Sequence, residues 1–358
     1  MTREQGLPFA DRYRLLQRLG VGATATVYVA IDAHTGQQVA VKVLHNLYAG
    51  NRTIRRRFVR EAKAAKRLST PHAIRVFDVV ELSDGRPVVV MELLAGATLA
   101  QVMLNANGPL AQERALFLAD QIASALQDAH ANNVVHRDLK PENVFVLGSP
   151  SNEWVKVVDF GISKLVGEAE GSQLTGTGML LGTPTYMALE QVEGQRDVDH
   201  RVDVYALGVV LFEMLSGVSP HAGASNFVGL LTMLRGPTPL LSEHRPELPA
   251  GLVNAVAGAM ASERNTRISS MQLLRFRLAP FWSGKRPVPP GDGSPHDPMQ
   301  ASQGKASPDK RSAETAMAGA EVSPQPSGLP SSVGPSPARV PPPSANAPPS
   351  AKPPKSSR

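Results

Sequence analysis

The chain has 358 residues, 42% hydrophobic and 19% charged, enough for one large domain or two medium ones with a buried core. It contains no cysteine, which excludes disulfide frameworks, thiolate catalysis and cysteine-based metal sites and makes a reducing compartment the easier home. The formal charge of +6 is unevenly placed: residues 283–358 hold nine Lys/Arg against five Asp/Glu, so no basic stripe for nucleic acid is expected elsewhere.

The start, MTREQGLPFADRYRLLQ, puts charges where a signal peptide needs an apolar core, and no stretch approaches the roughly 18 apolar residues of a membrane span. A cytoplasmic protein without membrane attachment is the expectation.

Residues 13 to 94 contain short alternating runs, YRLLQRLG, TVYVAIDA, QQVAVKVL, IRVFDVVEL and RPVVVMEL, some separated by turns such as HTGQ and SDGR. They predict an antiparallel sheet with two-residue turns. One helix is inserted near 52–68, in RTIRRRFVREAKAAKR, with Ile54, Phe58, Ala62 and Ala65 on one face. Its basic residues read as a solvated outer face. From about residue 112 helical periods dominate, as in QERALFLADQIASALQDAHANN and VDVYALGVVLFEMLSG. After Trp282 the composition turns to Pro, Ser, Ala and Gly, which cannot bury enough apolar area to offset ordering entropy. Residues 283–358 are therefore expected to be disordered; their Pro-x-x-Pro spellings suit either an aromatic-grooved partner or a plain tether.

The stretch LGVGATATV carries Gly20 and Gly22 between two strands. A glycine loop followed by a strand fits a flap over nucleotide phosphates, and an ordinary hairpin turn is the competing reading. Ala25 occupies the third glycine position and requires negative φ there. Lys42, in VAVK, lies on an apolar strand face and needs an anionic partner unless it snorkels to solvent. Glu61 in the inserted helix is the expected protein partner, and nucleotide phosphates the expected ligand.

The most specific stretches are HRDLKPENVFV (136–146) and VKVVDFG (155–161). With the glycine flap, VAVK, DVYALG and Arg267, they resemble the motif set of bacterial Hanks-type (eukaryotic-like) serine/threonine protein kinases, in the same order over about residues 13–282. The resemblance implies an α+β, bilobal protein-kinase fold: a small β-rich N-lobe (13–94) with one regulatory helix, a larger helical C-lobe (95–282), and the disordered tail. It also implies an ATP- and Mg2+-dependent Ser/Thr protein kinase that phosphorylates protein substrates and its own activation segment, with Mn2+ as a substitute metal.

Residue by residue, the resemblance makes Asp138 the acceptor of the substrate hydroxyl proton and Lys140 the group beside the transferred phosphate. Asn143 and Asp159 become the metal ligands, and Lys42, held by Glu61, the α/β-phosphate contact. Leu19, Gly20, Gly22, Val27, Ala40, Met91, Glu92, Leu94 and Phe145 are assigned to nucleotide binding. Met91 is the gatekeeper, and the backbones of Glu92 and Leu94 read the adenine edge. Arg137 marks kinases whose activation segment is switched by phosphorylation, and Thr175 and Thr177 align with phosphosites. Thr183 belongs to the substrate platform, Asp203 grips the catalytic-loop backbone, and Glu190 pairs with Arg267.

Departures from the pattern are Ala25, Leu189 for a proline before Glu190, Tyr205 for a commoner Trp, and Thr98 for an acidic ribose contact. A pseudokinase or nucleotide-binding scaffold is the alternative reading. The expected state is a monomer, or a transient homodimer during trans-autophosphorylation.

Overall fold

The computed structural model describes residues 8–9, 12–149, 152–160, 184–224 and 226–283. The apolar runs of the first third form an antiparallel sheet of order β1-β2-β3-β4-β6-β5. Its strands are β1 (Pro8–Phe9), β2 (Tyr13–Val21), β3 (Ala25–Asp32), β4 (Gln38–Leu44), β5 (Val76–Glu81) and β6 (Pro87–Glu92). The connections differ from the two-residue turns expected: residues 33–37 join β3 to β4, and 82–86 join β5 to β6. Polar side chains hold these longer loops. Asp32 accepts from the Arg12 guanidinium at 2.6 and 2.8 Å and from the His34 N–H at 3.0 Å, and Gly36 reverses the chain at φ 72°.

Strand alternation decides which face each β4 residue serves. Val39, Val41 and Val43 join Val88 and Val90 of β6 in one small buried cluster, while Ala40, Lys42 and Leu44 point to the opposite face. Helix α1 (Arg52–Ala65) lies against β5 and β6 with Ile54, Phe58, Ala62 and Ala65 buried. Asn51 begins the helix because its side-chain oxygen accepts the Thr53 and Ile54 N–H groups, each at 3.1 Å.

A second sheet, absent from the sequence expectations, has order β7-β8-β9 from Gly96–Thr98, Val144–Leu147 and Trp154–Val157. These strands are too short to show a period. Thr98 forms a capping box with Gln101 at the start of α2 (Leu99–Ala106), so its hydroxyl serves a helix end.

The remaining helices are α3 (Gln112–Ala131), α4 (Leu189–Val192), α5 (Arg201–Ser216), α6 (Phe227–Arg235), α7 (Ala250–Ala259) and α8 (Met271–Leu278). Helix α5 is buried on every side from Val202 to Leu215, which explains its near-continuous apolar sequence. Gly208 lets α7 approach: a Cβ there would stand 2.9 Å from both Ala259 Cβ and Met260 Cγ.

Around α5 the polar groups are paired with care. Arg267 grips Glu190 through two bonds of 2.7 and 3.0 Å and gives its other donors to the carbonyls of Arg201, Ala261 and Ser262. Leu189 is the first residue of α4, and Ala188 before it is extended at φ −70°, ψ 156°. That is the geometry a residue preceding proline adopts, and the first helical position tolerates a missing N–H. Tyr205 and His221 Nε2 are hydrogen-bonded at 2.7 Å, and burial pushes the His221 imidazole down to about 4.

Chemical denaturation of Arg267→Met should show a loss of about 3–5 kcal/mol, because Glu190 is left charged and buried, whereas Leu189→Pro should change stability by less than about 1 kcal/mol. As for pH, the folded chain binds fewer protons at His221 than the unfolded chain between about 6.5 and 4, so stability is full above pH 6.5 and falls below it. His221→Gln should therefore lose about 2–3 kcal/mol less than the wild type between pH 7 and 4.5.

Candidate active site

The residues singled out for chemistry come from both sheets and the loops that join them. Lys42 is opposite Val27 on β3 and Val89 on β6, and Ala40 is opposite Met91. These apolar neighbours leave Lys42 only 7% exposed, and its charge requires a partner. The expected partner was Glu61 on α1. The structure instead sets Lys42 Nζ 2.6 Å from Asp159 Oδ1. Asp159, at φ 60° just after β9, reaches Lys42 of β4 with its carboxylate. Withdrawal from water pushes the Asp159 carboxyl up, but the charge and hydrogen bond of Lys42 outweigh it and hold the group below the usual range.

Asp203, at 0% exposure near the start of α5, organises the catalytic loop. Its two oxygens accept the backbone N–H groups of His136 and Arg137, both at 2.8 Å. Oδ2 is also 2.8 Å from His130 Nε2 at the end of α3. Burial pushes this carboxyl up, yet the His130 hydrogen bond and the surrounding charges and N–H donors keep it below the usual range. His136 has a second anchor, a 2.8 Å contact from Nε2 to the Val158 carbonyl, and its ring packs 4.9 Å from that of Phe160. The loop is thereby tied to the segment that carries Asp159.

Arg137, between these anchors, adopts φ 64°, a conformation that a non-glycine residue holds only when its surroundings over-determine it. Its Nε is buried without a hydrogen-bond partner among the described residues. Its carbonyl accepts from Gln191 Nε2 at 3.0 Å, which joins α4 to the loop.

The next residues cluster tightly. Lys140 Nζ is 3.2 Å from Asp138 Oδ2, and Asn143 Nδ2 donates to the Asp138 carbonyl at 2.8 Å and to its Oδ2 at 3.1 Å. With its amide N–H groups so engaged, Asn143 offers Oδ1 as an oxygen donor. Among the described residues no three His, Asp or Glu side chains converge into a metal cage. Asn143 Oδ1 and the partly exposed Asp159 carboxylate instead fit Mg2+, which favours a few protein oxygens and completes its shell with water and phosphate.

The flap is the β2–β3 hairpin. Leu19 and Gly20 lie near the end of β2, Gly22 N–H bonds the Ala25 carbonyl at 2.9 Å, and Leu19 is 50% exposed. Ala25 is buried and is not among the positive-φ residues, as its side chain requires. Met91 and Leu94 pack on the large core cluster, whereas Val27, Ala40 and Phe145 belong to neither cluster. Leu94 N–H makes no hydrogen bond among the described residues, and Glu92 ties β6 to β9 by a 2.7 Å contact with Lys156. Phe145 faces Thr98 in the β7–β8 ladder.

Thr175, Thr177 and Thr183 lie outside the described residues, as does the chain from 284 onward. Sequence reasoning missed His130, Gln191 and the pair in which the Tyr186 hydroxyl donates to Glu213 Oε2 at 2.8 Å. Burial pushes the Glu213 carboxyl up. The available signals were a histidine in the last turn of a helix ahead of HRD and a glutamate inside the apolar run VVLFEML.

The profile of the family described as "Protein kinase domain" matches residues 13–278. The chain is 37% identical over 275 residues to a probable serine/threonine-protein kinase PknB of Lactococcus lactis, across 76% of this chain and 42% of that protein. It is 37% identical over 279 residues to serine/threonine-protein kinase pkn3 of Myxococcus xanthus, across 76% of this chain and 50% of that one. It thus spans half or less of the length of these relatives. The crystal structure of the Mycobacterium tuberculosis PknI kinase domain superposes with a TM-score of 0.61 at 28% identity, covering 78% of this chain and 99% of that one. No described helix is long and apolar enough to cross a membrane. With its catalytic-loop, Asp159 and Glu190–Arg267 geometry joined to this match, the chain belongs to the protein kinase domain family, as a bacterial Hanks-type member.

Proposed function

We propose that the chain is a serine/threonine protein kinase that transfers the γ-phosphoryl group of ATP to protein hydroxyls and to its own activation segment. The observation that carries this reading is the convergence of Asp138, Lys140 and Asn143 within hydrogen-bonding reach, near the Lys42–Asp159 pair. Phosphoryl transfer through a loose transition state asks the protein to position groups and neutralise charge.

Asp138 accepts the substrate hydroxyl proton and orients its oxygen, with Lys140 and Asn143 fixing the carboxylate. Lys140 lies next to Asp138 where the transferred group carries negative charge. Lys42 holds the nucleotide phosphates, and Glu61 is the carboxylate proposed to hold Lys42 in the nucleotide-bound state. Leu19, Gly20, Gly22, Val27, Ala40, Met91, Glu92, Leu94 and Phe145 enclose the nucleotide. Asn143 and Asp159 are the residues that would hold Mg2+, with Mn2+ as substitute; when bound, the metal neutralises phosphate oxygens.

Arg137, strained and with a buried Nε that has no hydrogen-bond partner among the described residues, suits the capture of phosphothreonine at Thr175 or Thr177. Thr183 is assigned to the substrate platform. A cytoplasmic location, a monomer that dimerises transiently for trans-phosphorylation, and a Pro-rich tail serving as tether or groove ligand complete the proposal.

Incubation with Mg2+ and γ-labelled ATP should label the wild-type chain, and Asp138→Asn should reduce the rate about 10²-fold or more. Wild-type-like labelling by that variant would falsify the assigned mechanism. Separately, Thr175→Ala combined with Thr177→Ala should lower activity toward a protein acceptor severalfold, with phosphosite mapping by mass spectrometry as the readout; unchanged activity removes the switch.

A further inference from the structure

The outer face of α1 is a second feature that the kinase chemistry does not use. Arg52, Arg55, Arg56, Arg60, Lys63 and Arg67 line a groove of about 480 Å³ between the helix and the β5–β6 edge. Arg55 is bonded to Glu81 at 3.2 Å, and Arg67, just past the end of α1, bonds the Lys63 carbonyl at 3.4 Å. Arg52, Arg56, Arg60 and Lys63 are exposed and have no ion pair among the described residues.

An ordinary solvated face intersperses the two signs of charge. Here Arg52, Arg56 and Arg60 stand four residues apart along α1, and each such like-charge pair costs the helix a few tenths of a kcal/mol. The repulsion is relieved by an anionic occupant, and the net positive field, offset in the lining only by Glu81, draws one in.

We propose that this groove docks an extended acidic segment of a partner protein. The chain's own tail has the wrong sign, with nine Lys/Arg against five Asp/Glu over residues 283–358. Nucleic acid is disfavoured because no aromatic ring lines the groove for a base to stack on, while Val59 and Pro87 provide an apolar floor for peptide side chains. The run from Arg52 to Lys63 covers about 16 Å of helix, the length of about five extended residues. Docking there places the partner on the helix that carries Glu61.

The test is fluorescence anisotropy with a labelled hexaglutamate peptide and the full chain at 0.15 M salt. Saturable binding is expected, weakened at least tenfold by the combined Arg56→Gln, Arg60→Gln and Lys63→Gln changes. Binding should be retained when the same three positions carry Arg56→Lys, Arg60→Lys and Lys63→Arg, and with Arg277→Gln on α8 as a distant control. Thermal melts establish that each variant is folded. The proposal is overturned by an absence of saturation, by equal binding to the triple Gln variant, or by a six-nucleotide single strand that competes as well as unlabelled hexaglutamate.

Discussion

The carboxylate of Asp203 is the constraint on which the site depends. It is fully buried, and its oxygens are occupied by two backbone N–H groups of the catalytic loop and by His130. A buried carboxylate is costly to leave unpaired, so the loop backbone must come to it. That demand is what holds Arg137 at positive φ and delivers Asp138 on the following residue. Helix α5 supplies the rigid base: it is buried on every side and packed too closely to move without disturbing the core.

The second organising contact is Lys42 with Asp159, which spans 117 positions of sequence. It connects the six-stranded sheet to the segment after β9. His136 adds to the connection through the Val158 carbonyl and the Phe160 ring, so the catalytic loop and the segment after β9 share one network. Networks of this kind couple their members: loss of one partner leaves the others buried and unpaired.

Much of the fold was legible in local pattern. The apolar strand face around Lys42 is found in β4, and the face of α1 holding Ile54, Phe58, Ala62 and Ala65 is buried as its period requires. The loops of 33–37 and 82–86 were misjudged because turn composition identifies a reversal without fixing its length. The β7–β8–β9 sheet was missed because strands of three or four residues have no measurable period and owe their form to pairing partners distant in sequence. Thr98, considered for its relation to a ribose, turned out to be a helix cap, a role that the Thr-x-x-Gln spacing does announce.

The sequence by itself determined the residue types available for chemistry and their order, since HRDLKPEN, DFG and VAVK are local spellings set by covalent connectivity. It also determined the helix and strand faces, because side-chain periodicity is a property of the backbone. Only the tertiary structure decided which charges meet. The sequence offered Glu61 as the protein partner of Lys42, whereas the structure pairs Lys42 with Asp159, and that choice rests on the placement of β4 and the loop after β9. The same holds for His130 with Asp203 and Tyr186 with Glu213: ion pairs and buried hydrogen bonds depend on distances of a few ångströms, which packing sets and spacing along the chain does not.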